Sequence, residues 1–176
     1  MVLLLPFPGR SLSFQGGQER QDDSIEPPVL LVRNRGVVAW WGKGIVVRSS
    51  EELVNIARQA AKRAHVPYSH FPVGAAVVGD DKQVYEGCNI ESASYGLTCC
   101  AERVGMFNAI AHGAKPVGLA VTCLKGDASD PNSLTPCGAC RQVMLDLMGP
   151  EAPVIIDRMG EFTVADLLPK GFQLPE

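Results

Sequence analysis

The sequence predicts an α/β fold in which one mixed sheet is covered by helices on both faces. Segments with apolar residues at helical spacing alternate with short apolar runs of strand length. Runs that are apolar along nearly their whole length are typical of strands in a buried sheet. The chain has 176 residues, 46% of them hydrophobic. That is enough for one packed core, and a second domain is not expected.

The elements from Ser49 onward follow the order α-β-β-α-β-α-β, with a β-α tail. The first helix is indicated by the capping-box spacing of Ser49 and Glu52. Its apolar positions then recur at helical spacing, as Leu53, Ile56, Ala57, Ala60 and Ala64. A β-hairpin is predicted next, with apolar runs at 73–78 and 84–90 around a turn at 79–82.

A second helix is predicted over 100–112, with its apolar face at Val104, Phe107, Ile110 and Ala111. Residues 116–124 form a near-continuous apolar run, which indicates a buried strand. A third helix over 138–148 stops at Gly149–Pro150. The remaining elements are a buried strand at 153–157, a short edge strand at 161–163 and a short helix at 164–168.

Residues 1–48 differ in composition from the rest of the chain. They are rich in Pro, Gly, Arg and Gln, and their short apolar patches share no sustained period. We expect a poorly ordered or atypical extension over 1–48, able to add a strand, followed by the folded domain over 49–176. A second interpretation is a native start at a non-ATG codon read as Val46 or Val47, which N-terminal sequencing would test.

The charge balance disfavours a polynucleotide partner. The net charge is -3 and no run of Lys or Arg is present, and the pI is about 5.6. Binding to DNA or RNA requires a basic surface that displaces counterions from phosphates. We therefore expect no nucleic-acid partner, whereas a small substrate is compatible with this charge.

The chain shows no sign of secretion or membrane insertion. Its start has only Val2–Leu5 as an apolar run and no early positive charge, unlike a signal peptide. No stretch approaches the about 18–20 apolar residues of a membrane span. The six cysteines cluster between residues 88 and 140. We expect a cytoplasmic location and no membrane partner, and in a reducing compartment clustered cysteines indicate metal binding or catalysis.

Two short motifs have the residues of a metal site, "CAE" at 100–102 and "PCGAC" at 136–140. A Cys-x-x-Cys pair is a strong local chelate for Zn²⁺. Each motif begins a predicted helix, and helix N-termini lower cysteine pKa values and so favour the thiolate. Three thiolates, from Cys100, Cys137 and Cys140, could hold one Zn²⁺.

A set of three ligands rather than four indicates catalysis. A structural zinc is normally closed by four protein ligands, whereas a catalytic zinc keeps a position for water. Zinc deaminases use three such ligands and a glutamate that does not bind the metal. Glu102, two residues after Cys100, could reach that water as the general acid and base. Arg103 could hydrogen-bond to a thiolate and offset its charge.

The neighbouring Cys99 is not expected to bind zinc. Successive residues at a helix start point about 100° apart, so both cysteines are poorly placed to serve one ion. The Cys-x-Glu spacing selects Cys100. Cys99 is then a packing residue behind the site.

With these motifs the chain resembles the cytidine deaminase family, in its small homotetrameric class. The resemblance runs from about Glu51 to Phe172. It rests on "YSHFPVGAA" (68–76), "GCNIESASYGLTCCAER" (87–103), "PCGACRQVMLDL" (136–147) and "LLPKGF" (167–172). It implies a three-layer α/β/α sandwich with a mixed five-stranded sheet. It also implies deamination of the nucleosides cytidine and deoxycytidine to uridine and deoxyuridine plus ammonia, in pyrimidine salvage.

The resemblance assigns roles to individual residues. Zinc would be bound by Cys100, Cys137 and Cys140, and Glu102 would shuttle protons. Phe71 would lie against the nucleoside, Asn89 and Glu91 would bind the ribose hydroxyls, and the backbone of Ala101 would hold the pyrimidine edge. Tyr95 would complete a neighbouring subunit's pocket, and Phe172 would stack on the base. The chain departs from the family's usual pattern at Cys99 and Gly105.

Three other functions remain open from the residues. A structural zinc module would need a fourth ligand from Cys88, Cys99 or Cys123. A deaminase of an aminonucleoside antibiotic such as blasticidin S would share "CRQVMLDL" and "LLPKGF", but "FPVGAA" and "NIESASYG" favour a plain nucleoside pocket. A polynucleotide deaminase is disfavoured by the acidic pI.

Overall fold

The computed structural model describes residues 32–34, 37–39 and 47–174. Three short strands come first, β1 (Val32–Asn34), β2 (Val37–Ala39) and β3 (Val47–Ser49), and they pair antiparallel in that order. The prediction of a poorly ordered or atypical extension over 1–48 concerns residues that lie mostly outside those the structure describes. The boundary at residue 49 therefore stays a prediction.

The main sheet has five strands and is mixed, as predicted. Its strands are β4 (Val73–Gly79), β5 (Val84–Cys88), β6 (Pro116–Cys123), β7 (Pro153–Ile156) and β8 (Gly160–Thr163). The spatial order is β5-β4-β6-β7-β8. The pair β6–β7 is parallel and the other neighbours are antiparallel.

Helices cover both faces of this sheet, which confirms the three-layer α/β/α arrangement. They are α1 (Ser50–Ala61), α2 (Ala101–Ala111), α3 (Gly138–Met148) and the short α4 (Val164–Leu167). Ala120 of β6 packs in one apolar cluster with Leu53 of α1. Leu119, which points to the opposite face, packs with Met106 of α2 and Met144 of α3. No helix in the described part of the chain has the length and apolar character needed to cross a membrane.

Helix α1 begins as the sequence predicts, because the Ser49 hydroxyl accepts a hydrogen bond from the Glu52 N–H at 3.0 Å. Its buried face differs slightly from the prediction, since Val54 and Ala61 are buried where Ile56 and Ala64 were expected. The helix backbone lies directly on β4: a Cβ on Gly74 would come within 2.1 Å of the Ala57 carbonyl oxygen.

The predicted apolar face of α2 is wrong. Phe107 and Ile110 are each 48% exposed, and the buried residues are Ala101, Glu102, Gly105, Met106 and Ala109. The helix packs against the hairpin through backbone contact, because a Cβ on Gly87 would lie 2.1 Å from the Ala101 carbonyl oxygen. Only small side chains fit so close an approach, so Ala101 and Gly105 face the hairpin, whereas Phe107 and Ile110 face away from it.

We expect Gly87→Ala to destabilise the domain by about 1–3 kcal/mol, because the added methyl group must displace the start of α2. Urea unfolding would measure the loss. Gly96→Ala is the matched control, since an added Cβ there meets no atom within 4 Å. An equal effect of the two substitutions would contradict the close packing.

Asp157, just after β7, ties α1 to the sheet. Its carboxylate accepts two hydrogen bonds from the Arg58 guanidinium, at 2.9 and 2.7 Å, and one from the Thr122 hydroxyl at 2.7 Å. Burial alone would raise the pKa of Asp157, but the hydrogen bonds from Arg58 and Thr122 outweigh it and lower the pKa below the ordinary value.

We expect Asp157→Asn to lower the free energy of unfolding by about 1–2 kcal/mol at pH 7. A lowered carboxyl pKa stabilises the folded chain above the ordinary value of 3.8, and this contribution is lost as pH falls through the folded pKa. The difference between wild type and variant should therefore narrow in acid. Denaturant unfolding from pH 7 down to pH 3 would measure it, and a difference constant with pH would contradict the assignment.

Candidate active site

Three thiols meet at the N-termini of α2 and α3. Cys100 is the N-cap of α2 and Cys137 is the N-cap of α3, and neither side chain caps its helix. Ser, Thr, Asp and Asn are the usual N-cap residues because their oxygens accept the first helical N–H groups. Cysteine at both positions leaves the two sulfur atoms available to another partner.

The sulfur atoms are spaced as zinc requires. The Sγ atoms of Cys100 and Cys137 are 3.9 Å apart, and those of Cys137 and Cys140 are 3.5 Å apart. All three lie within 4.8 Å of one another. Four tetrahedral ligands at about 2.3 Å from Zn²⁺ would be separated by about 3.8 Å. The donor set therefore fits Zn²⁺ almost without adjustment.

The other cysteines lie outside this cluster. Cys88, Cys99 and Cys123 form no disulfide. Among the described residues, none of the three belongs to the group of side chains that could hold a metal ion. Cys99 pairs through its backbone with Ile90, each N–H donating to the other's carbonyl at 2.9 Å. A zinc closed by a fourth thiolate is therefore disfavoured. Cys123 is buried as predicted, whereas Cys88 is only half-buried.

Negative charge is stabilised on the cluster. The pKa of Cys100 is lowered to about 5, chiefly because the Cys140 thiol donates a hydrogen bond to its sulfur, with a further contribution from Arg103. The pKa of Cys140 is raised, since it holds the shared proton. The Arg103 Nη2 lies 3.8 Å from the Cys100 sulfur and donates to the Thr98 carbonyl at 2.9 Å. The guanidinium thus contacts the Cys100 sulfur, and its predicted role toward a zinc-bound thiolate stays a prediction.

Glu102 is a buried acid beside the cysteines. It is 3% exposed, and its Oε2 atom has no hydrogen-bond partner within the described chain. Burial raises the pKa of Glu102 to about 7, and a hydrogen bond from its own backbone N–H acts in the opposite direction. An unsatisfied buried carboxylate oxygen is costly. Its presence indicates that this oxygen serves a ligand.

Asn89 holds the start of β4 in place. Its Oδ1 accepts a hydrogen bond from the Val73 N–H at 2.8 Å, and its Nδ2 donates to the Phe71 carbonyl at 2.9 Å. The side chain is 9% exposed. Nδ2 carries a second hydrogen that could bind a ligand. The predicted contact of Asn89 with ribose stays a prediction, and the observed bonds show that this residue also fixes the position of Phe71.

Glu91 lies in an open cleft of about 280 Å³. The cleft is lined by Tyr68, Ser69, Glu91, Tyr95 and Thr98. The Glu91 Oε2 accepts the N–H groups of Tyr68 and Ser69, both at 3.1 Å, and its Oε1 is bound by the Ser69 hydroxyl. These bonds, that of the Ser69 hydroxyl foremost, lower the pKa of Glu91. The cleft therefore contains an ionised acceptor.

Two of the three aromatic residues predicted to contact substrate are open to solvent. Tyr95 is 76% exposed and Phe172 is 70% exposed. The Tyr95 ring meets Tyr68 edge-on, with ring centres 6.2 Å apart. Ala101 is fully buried at the start of α2, between Cys100 and Glu102. The roles of these residues toward substrate and partner subunit stay predictions.

Sequence reasoning missed three residues that organise the site. Ser69 binds Glu91, Arg141 donates to the Pro136 and Leu167 carbonyls, and Gln142 binds Phe172. All three residues lie inside the motifs on which the family resemblance rests, and this position in the motifs was the signal that could have identified them. Their partners could not be inferred, because hydrogen bonds between distant segments leave no periodic pattern in the sequence.

Comparison with known proteins agrees with this geometry. The family profile described as "Cytidine and deoxycytidylate deaminase zinc-binding region" matches residues 47–155. A cytidine deaminase of Sporosarcina psychrophila is 42% identical over 127 residues, covering 69% of this chain and 90% of that protein. A cytidine deaminase of Halalkalibacterium halodurans is 44% identical over 124 residues, covering 68% of this chain and 91% of that protein. The crystal structure of a cytidine deaminase from Burkholderia pseudomallei superimposes with a TM-score of 0.63 at 39% sequence identity. The match covers 71% of this chain and 100% of that one.

Proposed function

Because the chain belongs to the cytidine and deoxycytidylate deaminase family, we propose that it is a zinc-dependent hydrolase that deaminates cytidine and deoxycytidine. The products would be uridine and deoxyuridine plus ammonia. One observation carries this proposal: three cysteine sulfurs converge at two helix starts, with the buried carboxylate of Glu102 beside them. The arrangement has the ligands and the proton carrier that a zinc deaminase needs.

The residues divide the reaction between them. Zinc held by Cys100, Cys137 and Cys140 would supply Lewis acidity that lowers the pKa of water. Glu102 takes a proton from the attacking water and delivers it to N3 of cytosine. The water oxygen bonds to C4, and Glu102 then takes the proton of the new C4 hydroxyl and passes it to the 4-amino group. The C4–N bond breaks, ammonia leaves and the C4 carbonyl of the product forms. One water is consumed for each ammonia released, and Glu102 ends in its starting state.

Arg103 balances the charge of the site. Three thiolates outweigh the charge of Zn²⁺, and the resulting negative charge would oppose formation of hydroxide. The Arg103 guanidinium, 3.8 Å from the Cys100 sulfur, withdraws part of that charge. The N-termini of α2 and α3 add partial positive charge in the same direction.

The nucleoside pocket we propose is built from two regions. Phe71, Asn89 and Glu91 lie near the start of β4 and beyond the end of β5, where Asn89 bonds to the backbone of both Phe71 and Val73. The Ala101 backbone would hold the pyrimidine edge beside Glu102, and Phe172 would cover the base. The ionised Glu91 in its open cleft is suited to accept hydrogen bonds from ribose hydroxyls.

The deciding experiment is an ultraviolet assay of cytidine deamination by the purified protein, with and without a zinc chelator. We expect activity that is lost with chelator and restored by added Zn²⁺. Parallel measurements of ammonia release from deoxycytidine, blasticidin S and single-stranded DNA would identify the substrate class. Activity on the antibiotic or on DNA alone would overturn the proposal.

We also propose a homotetramer in which Tyr95 completes a neighbouring subunit's pocket. Its support is the exposed apolar surface on the segment before Cys100 and along α2: Tyr95 and Leu97 are about three-quarters exposed, and Phe107 and Ile110 are half exposed. Such surface is seldom left open to solvent. Sedimentation equilibrium should give four chains per particle. A monomer that is fully active on cytidine would contradict both the assembly and the role of Tyr95.

Residues 49–176 form the catalytic domain in this proposal, and 1–48 is an extension. The family profile begins at residue 47, and every proposed site residue lies beyond it. A chain starting at residue 47 should keep cytidine deamination. We place the protein in the cytoplasm, because its six cysteines form no disulfide, and three of them are proposed zinc ligands, which suits a reducing compartment. The proposed reaction on free nucleosides belongs to pyrimidine salvage.

A further inference from the structure

Gly171 and Phe172, near the end of the described chain, lie along α3. A Cβ on Gly171 would come within 2.3 Å of the Leu145 Cδ2 atom, so the backbone at Gly171 packs tightly on this helix. The next residue, Phe172, is bonded to Gln142. Gln142 and Leu145 are three positions apart and therefore share one face of α3. The segment Gly171–Phe172 therefore runs along this face of α3.

The direction of this segment leads toward the metal ligands. Gly171 is beside Leu145, whereas Phe172 is beside Gln142, one turn closer to the helix start. Cys137 is the N-cap of the same helix. Gln142 lies five positions after Cys137, which corresponds to about 7.5 Å along the helix axis. The segment thus brings the backbone of Phe172 toward the proposed zinc site.

The Gln142 side chain binds the backbone of Phe172 at both ends of its amide. Its Nε2 donates to the Phe172 carbonyl at 2.7 Å, and its Oε1 accepts from the Phe172 N–H at 3.2 Å. A third bond, from Nε2 to the Asp146 Oδ1 at 2.9 Å, sets the orientation of the amide. The Phe172 side chain is 70% exposed, so packing of the ring contributes little to its position.

We propose that Gln142 is a positioning residue for the deamination, acting through Phe172. Its paired hydrogen bonds hold the C-terminal segment so that the Phe172 ring can cover the bound base. The proposal rests on the function proposed above. No reacting atom is touched by Gln142, and its effect should pass entirely through the placement of one aromatic ring.

Steady-state kinetics on cytidine give the first test. Gln142→Ala removes both hydrogen bonds to the Phe172 backbone but leaves the rest of the segment packed on α3, so KM should rise by about 3- to 10-fold, the effect of about one net hydrogen bond. The kcat should stay within about twofold, because contact with the ring stabilises bound substrate and transition state alike. Gln83→Ala, the same exchange in the exposed turn after β4, should change neither constant. A fall in kcat with KM unchanged would overturn the proposal.

A double-mutant cycle and hydrogen exchange separate positioning from other roles. In a Phe172→Ala background, Gln142→Ala should have almost no further effect on KM. Backbone amide exchange in the peptide covering 168–176 should be faster in Gln142→Ala than in wild type. An additive KM effect, or unchanged exchange, would refute the role. The exchange measurement needs no deamination, so a wild-type protein inactive on cytidine would refute only the proposed function.

Discussion

Glu102→Ala is expected to keep the fold and the bound zinc but to lose nearly all turnover of cytidine. Proton transfer by a positioned side chain contributes about 10²–10⁴-fold to a rate. Glu102 moves a proton more than once in each catalytic cycle, so kcat should fall by about 10⁴-fold or more. Its position two residues beyond Cys100, at the start of α2, makes it the nearest carboxylate to the ligand cluster in the sequence.

The isosteric variant Glu102→Gln sharpens this test. It fills the same buried space but cannot take a proton, so it should be as inactive as Glu102→Ala. Its free energy of unfolding should equal or exceed that of wild type, because an acid with an unpartnered buried oxygen is replaced by a neutral amide. Zinc content and denaturant unfolding would be measured beside kcat. Deamination by either variant at the wild-type rate would remove Glu102 from the mechanism.

The second large effect is expected from Cys140→Ala. Cys140 is fully buried in the first turn of α3, and its sulfur lies 3.5 Å from that of Cys137. Removing it leaves two thiolates on separate helices and breaks the Cys-x-x-Cys chelate. We expect zinc affinity to fall by more than about 100-fold, since even loss of a residue that only supports a ligand costs 10- to 100-fold. Metal analysis after dialysis should find little zinc, and cytidine deamination should be undetectable.

Cys99→Ala is the matched control for the ligand set. It removes a thiol adjacent to Cys100, but Cys99 lies outside the cluster and pairs with Ile90 through its backbone. Its zinc content and turnover should match wild type. Loss of zinc from Cys99→Ala, with Cys100 intact, would show that the wrong member of the doublet had been chosen.

The two helix faces show where sequence patterns are reliable. For α1 the apolar period located most of the buried face, because its larger apolar side chains do pack on the sheet. For α2 the same argument selected Phe107 and Ile110, which are half exposed. The buried side of α2 consists mainly of small residues against Gly87, and hydrophobicity cannot signal a contact made by backbone atoms.

The sequence by itself identified the three cysteines that cluster, the acid beside Cys100 and the order of the elements from Ser49 onward. Within "CAE" and within "PCGAC" the functional atoms lie in one helical turn, where local spacing sets distance. That these two motifs, 37 residues apart, share one site was inferred from their chemistry and not from spacing. Only the tertiary structure decided which face of α2 is buried and which residues support the site. Ser69 and Glu91 are 22 residues apart, and Gln142 and Phe172 are 30 apart. Contacts at such separations depend on how the whole chain packs, and no local pattern encodes them.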